Sequence, residues 1–445
     1  MKSKMAFLSF LLPVLMIAQD TIRIIPEGKQ VQWMVLRRLI GARALYQTVK
    51  DSVGNNGATF VFEDMPLGEY AVQYDMEHLR GLRFLYDGNP VEIEFNPGKK
   101  SHLRVLRSAS NAYYYDFLKK NAAALRKFKR FKQDYYAHPS DDLQKLYTKF
   151  RDAYYHMADS MLQVSQASMA YPFIKAKIEA FPPALMSSTS AYVQYALQHY
   201  FDFNDLNDSV LYYSGVVYDR LHDYIFRIPS VAFGEEKTKE LLQRTQNALM
   251  HVTFPPSRAE MLIALLNEFR LEDRKVFDLL VNQYRNLPEE MQDTITLNRM
   301  LKNPVPVRGD RFPLDVLKKT GKFKLNKSPL KLFIFYSSDC PHCQKVIPKI
   351  YKALKNQSNV QVIAVGLETN VQHWDLFTAP LKRWTHLKIT PQSPKLYDEV
   401  IRKYFIEFTP TYFLTDKNLK IIEKTTGEAQ AEKIINYIKN HERGK

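Results

Sequence analysis

Three textures follow one another along the chain. From residue 20 to about 107, short runs rich in Val, Ile, Tyr and Phe ("TIRII", "QVQWMVLRRL", "ATFVFEDM", "GEYAVQYDM", "LRFLYDG", "PVEIEFNPG", "HLRVLRS") are broken by "VGNNG", "PLG", "DGNP" and "NPGKK". Such breaks are turn chemistry, and alternation in "VEIEF" and "AVQY" suits half-buried antiparallel strands, so a small β-sandwich is predicted. From Asn111 to Leu301 the apolar positions recur at helical spacing, which predicts helices over 111–137, 140–169, 172–181, 189–201, 208–227, 235–252, 257–270 and 273–286. Ser140 offers an N-cap, and the "FPP" breaks at Phe181 and Phe254 punctuate the pattern. After the Pro-rich boundary Lys302–Pro313 the texture alternates. Strand "KLFIFYS", helix 341–355, strand "VQVIAVG", helices near 371–383 and 394–404, strands "TYFLT" and "LKIIEKTT", and helix 428–440 make an α/β domain. The expected organisation is a signal segment at 1–18, a β-sandwich at 19–107, a helical domain at 108–301 and an α/β domain at 302–445.

The signal reading comes from "MKSKMAFLSFLLPVLMIAQD". Lys2 and Lys4 form a basic n-region, Met5 to Ile17 an apolar stretch, and Ala18 a small residue at the cleavage point. The stretch falls short of the ~20 residues of a membrane span, so export with no integral span after cleavage is expected, an uncleaved anchor being the alternative. No Cys follows it to carry a lipid.

Net charge is +16, or +14 without Lys2 and Lys4. The densest basic run, Leu125–Tyr136, carries Leu125, Phe128, Phe131 and Tyr135 at helical spacing. It reads as a helix with an apolar face and a solvated basic face, and an exported protein seldom meets nucleic acid; no nucleic-acid partner is expected. His156, His199, His222 and His251 lack metal-ligand spacing, and no metal or cofactor is expected.

The chain's two cysteines, Cys340 and Cys343, sit in "FYSSDCPHCQKVIP". A strand followed by this motif and a helix puts Cys340 at the N-cap and Pro341 at the first helical position, where a missing N–H costs nothing. Helix-end N–H groups and the helix dipole favour a thiolate at Cys340, and His342 adds positive charge or a hydrogen bond. Cys343, one turn on, can resolve a mixed disulfide. Zinc would need two further ligands that no second CxxC or nearby His pair supplies. A staple closing so small a loop would stabilise little. The pair therefore reads as redox-active.

"KLFIFYSSDCPHCQKVIPKI", "VQVIAVGLET" and "FIEFTPTYFLTDKNLKIIEKTTG" resemble the thioredoxin superfamily, closest to the envelope TlpA/ResA-like thiol-disulfide oxidoreductases. The resemblance runs from about Gly309 to the C-terminus and implies a mixed sheet flanked by helices. It implies Cys340 as the attacking thiol, Cys343 as the resolving one, and Pro348 as the proline that kinks the active-site helix. It also implies that Thr409–Pro410 is the cis-proline loop that meets substrate backbone. Glu368, in "VGLET", falls where the family carries a carboxylate near the cysteines. Such a carboxylate relays protons if buried and does nothing if solvated. Trp374 reads as a packing residue. Asp339 stands where the family commonly has Trp, and its charge opposes thiolate formation against the pull of His342. Pro-His is also the dipeptide of the strongly oxidising DsbA, whereas TlpA/ResA-like proteins mostly reduce, so the direction of electron flow stays open. More loosely, the first two regions, with "SASNAYYYDFL" at their join, resemble domains that precede thioredoxin modules in large exported bacterial proteins.

The resulting expectation is an exported thiol-disulfide oxidoreductase of the periplasm or envelope of a Gram-negative-type bacterium. Its expected partners are proteins with disulfides or thiols and a redox partner protein. The alternatives are a partner-binding scaffold with an incidental thioredoxin-like module, or a thiol peroxidase, for which no separate peroxidatic Cys with a Thr three residues earlier is present.

Overall fold

The computed structural model describes residues 20–443, except 29–30, 52, 55–56, 63, 76, 78–79, 99–102, 322 and 369. The signal segment lies outside the described residues. The chain forms two compact units, one through Arg220 and one from Leu221.

In the first unit eight strands build the sandwich: β1 (Asp20–Pro26), β2 (Trp33–Ile40), β3 (Arg43–Asp51), β4 (Ala58–Phe62), β5 (Gly68–Asp75), β6 (Arg80–Tyr86), β7 (Val91–Phe95) and β8 (Leu103–Arg107). They pair as two four-stranded sheets, β4-β1-β7-β8 and β3-β2-β5-β6. Alternate residues of each sheet face inward, as a period of two requires. Ile22, Ile24, Phe60, Val91 and Ile93 from one sheet meet Leu36, Tyr70, Val72 and Phe84 from the other in a single buried cluster. β3 is a strand that the hydrophobic pattern does not reveal. It is the edge of its sheet and mostly exposed, so nothing forces its side chains to alternate.

Helices α1 (Ala109–Ala137), α2 (Asp141–Ser165), α3 (Ala170–Lys175) and α4 (Thr189–His199) follow, and the boundary between the units falls within α5 (Val216–His222). Ser108 caps α1 and Ser140 caps α2, each accepting from a backbone N–H three residues on. The buried Asn111 of α1 donates to the Leu85 carbonyl at 2.7 Å and accepts its N–H at 2.8 Å, tying the helix to β6. The helix expected over 172–181 is replaced by α3, which stops at Lys175 before "FPP". That over 208–227 breaks into a 3-10 turn, α5 and a π turn, the first break falling at Ser214–Gly215.

The second unit opens with α6 (Glu235–Met250), α7 (Pro255–Phe269), α8 (Arg274–Arg285), α9 (Thr294–Lys302) and α10 (Leu317–Thr320). α9, which the pattern did not suggest, is short and capped by Asp293. The α/β region adds β9 (Leu330–Tyr336), α11 (Pro341–Leu354), β10 (Val360–Leu367), α12 (Val371–Thr378), β11 (Thr385–Ile389), α13 (Pro394–Tyr404), β12 (Thr411–Asp416), β13 (Ile421–Thr426) and α14 (Glu428–Arg443). Their sheet order is β11-β10-β9-β12-β13. β10 runs parallel to β9 and β11, while β12 is antiparallel to β9 and β13.

β9 is buried along its whole length because both faces of the sheet are covered. Leu332, Ile334 and Tyr336 pack on one face with Ile347 and Ile350 of α11 and Ile434 of α14. Phe333 and Phe335 pack on the other with Val400 and Tyr404 of α13. The helix expected over 371–383 ends at Thr378, short of Pro380, and leaves room for the edge strand β11.

A buried ionic cluster joins β13 to the helices of the same unit. Arg308 donates to Asp273 at 3.0 Å, Glu423 at 2.6 Å and Glu272 at 3.1 Å. Asp273 caps α8 and accepts the Thr238 hydroxyl of α6, and Glu423 also accepts the Gly234 N–H.

Candidate active site

The site forms where the central strand β9 gives way to α11, beyond the carboxyl ends of β9 and β10. Cys340 is the N-cap and Pro341 the first helical residue. The Gln344 N–H closes the first helical turn on the Cys340 carbonyl at 3.0 Å, and the Gln344 side chain donates to the Ser338 carbonyl at 2.9 Å. Pro348 lies inside the helix.

The two cysteines are free thiols in unlike surroundings. Cys340 is partly exposed, and its Sγ lies 3.4 Å from the Thr409 carbonyl oxygen. The Thr409–Pro410 peptide is cis, and the Pro410 carbonyl accepts the Gly427 N–H at 2.9 Å. Burial alone would raise the Cys340 pKa. Hydrogen bonds from the Thr409 side chain, the Cys343 N–H and thiol, and the His342 N–H outweigh it, so the pKa falls below its ordinary value. His342 thus acts through its backbone, and its side chain is exposed. Cys343 is fully buried in the core. Burial, and next to that the neighbouring Cys340, push its thiol up to about 12.

Glu368, fully buried at the end of β10, accepts the Ser338 N–H at 2.9 and 3.1 Å and the Ser338 hydroxyl at 2.6 Å. Burial raises its pKa; the bonds from Ser338 and the charge of His373 resist, and Asp339 adds to the rise. Asp339 does not stand alone against Cys340, because His373 Nδ1 lies 2.9 Å from its Oδ1 and 3.2 Å from the Ser338 hydroxyl. Burial raises the pKa of Tyr336, Glu368 and Cys343 add to the rise, and the neighbouring Trp374 side chain resists it; the Tyr412 hydroxyl is buried with no hydrogen-bond partner among the described residues.

Ser338, His373, Tyr336 and Gly366 are site residues that sequence reasoning missed. Parallel pairing sets Tyr336 opposite Gly366, and two residues further on each strand come Ser338 and Glu368. A signal was therefore present in the matching ends of "FIFYSS" and "IAVGLE", legible once the strands are paired. A side chain at Gly366 would run into the Trp374 indole and the Glu368 carboxylate. Trp374 packs where expected, on the adjoining core, and also under the Lys388 ammonium at 4.6 Å.

Residues 317–442 match the family model of a thioredoxin-like domain. Solved structures similar to the chain include a domain of a possible thiol-disulfide isomerase from Cytophaga hutchinsonii, 27% identical over 27% of this chain and 82% of that one, with a TM-score of 0.22. StoA from Bacillus subtilis is 25% identical over 25% and 84%, with a TM-score of 0.21. The thioredoxin domain of a thiol-disulfide oxidoreductase from Bacteroides vulgatus is 22% identical over 26% and 80%, with a TM-score of 0.22. No curated protein matches the chain. Among the described residues no helix is long and apolar enough to cross a membrane.

Proposed function

We propose, from the premise that the C-terminal region is a thioredoxin-like thiol-disulfide oxidoreductase domain, that this chain exchanges disulfides with exported proteins through Cys340 and Cys343. The observation that carries the reading is the asymmetry of the two thiols. Cys340 is reachable and has a depressed pKa, whereas Cys343 is buried and protonated. The first is built to attack and the second to wait.

In the reducing direction the Cys340 thiolate attacks one sulfur of a substrate disulfide, and the other substrate sulfur leaves as a thiolate. Thr409 and Pro410 hold the substrate backbone beside Cys340, and Pro341 and the His342 N–H favour its thiolate. Cys343 then gives its proton to Glu368 and attacks Cys340 Sγ. A Cys340–Cys343 disulfide forms, the second substrate thiolate leaves, and two electrons have passed to the substrate. A redox partner protein restores the dithiol. The basic segment ahead of Ala18 supports export to a periplasm or envelope. The sandwich, helical and thioredoxin-like regions at 19–107, 108–301 and 302–445 are the proposed domains.

Cys343→Ser is the test. It should accumulate a mixed disulfide between Cys340 and substrate, resolved by gel under non-reducing conditions, while Cys340→Ser should trap nothing and lose reduction of a model disulfide. Full disulfide reduction by Cys340→Ser, with partner binding intact, would favour the scaffold reading instead.

A further inference from the structure

Glu368 has no exposed surface, yet a group that takes a proton in each turnover must return it to water. One side of the carboxylate is occupied by Ser338, whose N–H and hydroxyl both donate to it. Since the Ser338 O–H points to Glu368 Oε2 at 2.6 Å, its oxygen is left to accept from His373 Nδ1 at 3.2 Å. The same ring nitrogen lies 2.9 Å from Asp339 Oδ1. His373 and Asp339 are 38% and 41% exposed, so the line runs from a sealed carboxylate to solvent. The Ser338 O–H and the His373 Nδ1–H both point inward when Glu368 is ionised; when Glu368 is protonated, the Ser338 O–H can turn to a His373 ring in its Nε2–H tautomer.

We propose that Ser338 and His373 are the path by which Glu368 exchanges its proton with water, with Asp339 holding the imidazolium that forms on the way. This rests on the reading of Glu368 as proton acceptor for Cys343. On the outward stroke Glu368 gives its proton to Ser338 Oγ, and Ser338 passes its own to His373 Nδ1. His373 releases the Nε2 proton to water, leaving Glu368 ionised, Ser338 a hydroxyl again and His373 as its Nδ1–H tautomer; exchange of the half-exposed ring with water restores the Nε2–H tautomer before the next outward stroke. The groups facing the path are Asp339 and Ser338 from the loop before α11, Tyr336 from β9 and Trp374 from α12; Lys388 of β11 caps Trp374 and pairs with Asp375. His373 is a positioning and relay residue, since it touches neither cysteine in any hydrogen bond found among the described residues.

The experiment uses the full chain with Cys340 loaded as its thionitrobenzoate mixed disulfide, held at acid pH so that Glu368 is protonated and then jumped to neutral pH, so that Glu368 must return its proton to water before it can accept that of Cys343. Attack by Cys343 breaks that bond, forms the Cys340–Cys343 disulfide and releases coloured thionitrobenzoate in one turnover. His373→Ala and Ser338→Ala should slow release roughly 10²-fold, the low end of what a positioned proton-transfer group contributes. Added imidazole should restore His373→Ala in proportion to its concentration, but should not restore Glu368→Gln. His373→Gln keeps hydrogen-bonding capacity and carries no proton, so it should be as slow as His373→Ala. Wild-type speed and an unchanged pH profile in His373→Gln, or no imidazole rescue, would overturn the path while Glu368→Gln stayed slow. Wild-type speed in Glu368→Gln would overturn the role of Glu368 and the path with it. A wild-type adduct that never releases its label would overturn the proposed function itself.

Discussion

Replacing Arg308 with methionine takes one cation from a site that holds two buried carboxylates. The Arg308 side chain is 3% exposed, and those of Asp273 and Glu423 are 1% and 4% exposed. Methionine fills much of the same volume, so the main loss is electrostatic: both carboxylates stay buried without the partner they share. Removing one member of a buried ion pair costs about 3–5 kcal/mol, mostly through the charge left behind. For a unit of this size each kcal/mol moves the melting temperature by about 2–4 °C, so the second unit should melt roughly 6–20 °C lower. Glu272, partly exposed at 31%, contributes less. Burial opposes its charge, but Lys237 and Arg308 outweigh that and depress its pKa below 4.5. A depressed carboxyl stabilises the fold above its unfolded value and stops doing so as pH falls through its folded one. The wild type should therefore lose part of its margin over Arg308→Met below pH 4.5. Scanning calorimetry is the assay, read at the transition that Arg308→Met displaces. Adding Asp273→Asn and Glu423→Gln removes the stranded charges while Asn still caps α8, and should recover much of the loss. A single variant within about 2 °C of wild type, the scale of a surface change, would refute the reasoning, as would a triple variant no better than the single.

Three further outcomes are expected. In the reduced protein Cys340 should be alkylated at neutral pH with an apparent pKa below 9, whereas Cys343 should react only after unfolding, which mass spectrometry of the labelled peptides would show. Glu368→Gln should slow resolution of a Cys340 mixed disulfide by roughly 10²-fold, the loss of a general base, and flatten the pH dependence on the acidic side, as read in single-turnover kinetics. Asn111→Leu leaves the Leu85 N–H and carbonyl buried without their partner, at about 1–3 kcal/mol each, and should lower the melting temperature of the first unit in a circular dichroism melt.

The redox motif was legible because its signals are local. A strand, two cysteines one turn apart and a proline at the first helical position all fall within "FIFYSSDCPHC", and Cys340 does cap α11. What surrounds it was legible only in part. Asp339 read as an anion beside Cys340, since nothing in the sequence pairs it with a residue 34 positions later, yet His373 does so across the site. Glu368 was visible as a candidate but its partner Ser338 was not, because the contact depends on the register between β9 and β10. Elements were missed for a related reason. β3 and β11 are edge strands, so only part of their surface must be apolar and their patterns are weak. β9, covered on both faces, could hardly be overlooked.

The Arg308 cluster also sets an order of events during synthesis. Asp273 and Arg308 leave the ribosome close together, but Glu423 follows Arg308 by 115 residues. At about 5–20 residues per second the guanidinium waits some 6–23 s for its second buried carboxylate. Until β13 arrives, α6 and α8 have a charged face and no strand to cover it. The helices of this unit are therefore half-finished for as long as the sheet of the α/β region is being made.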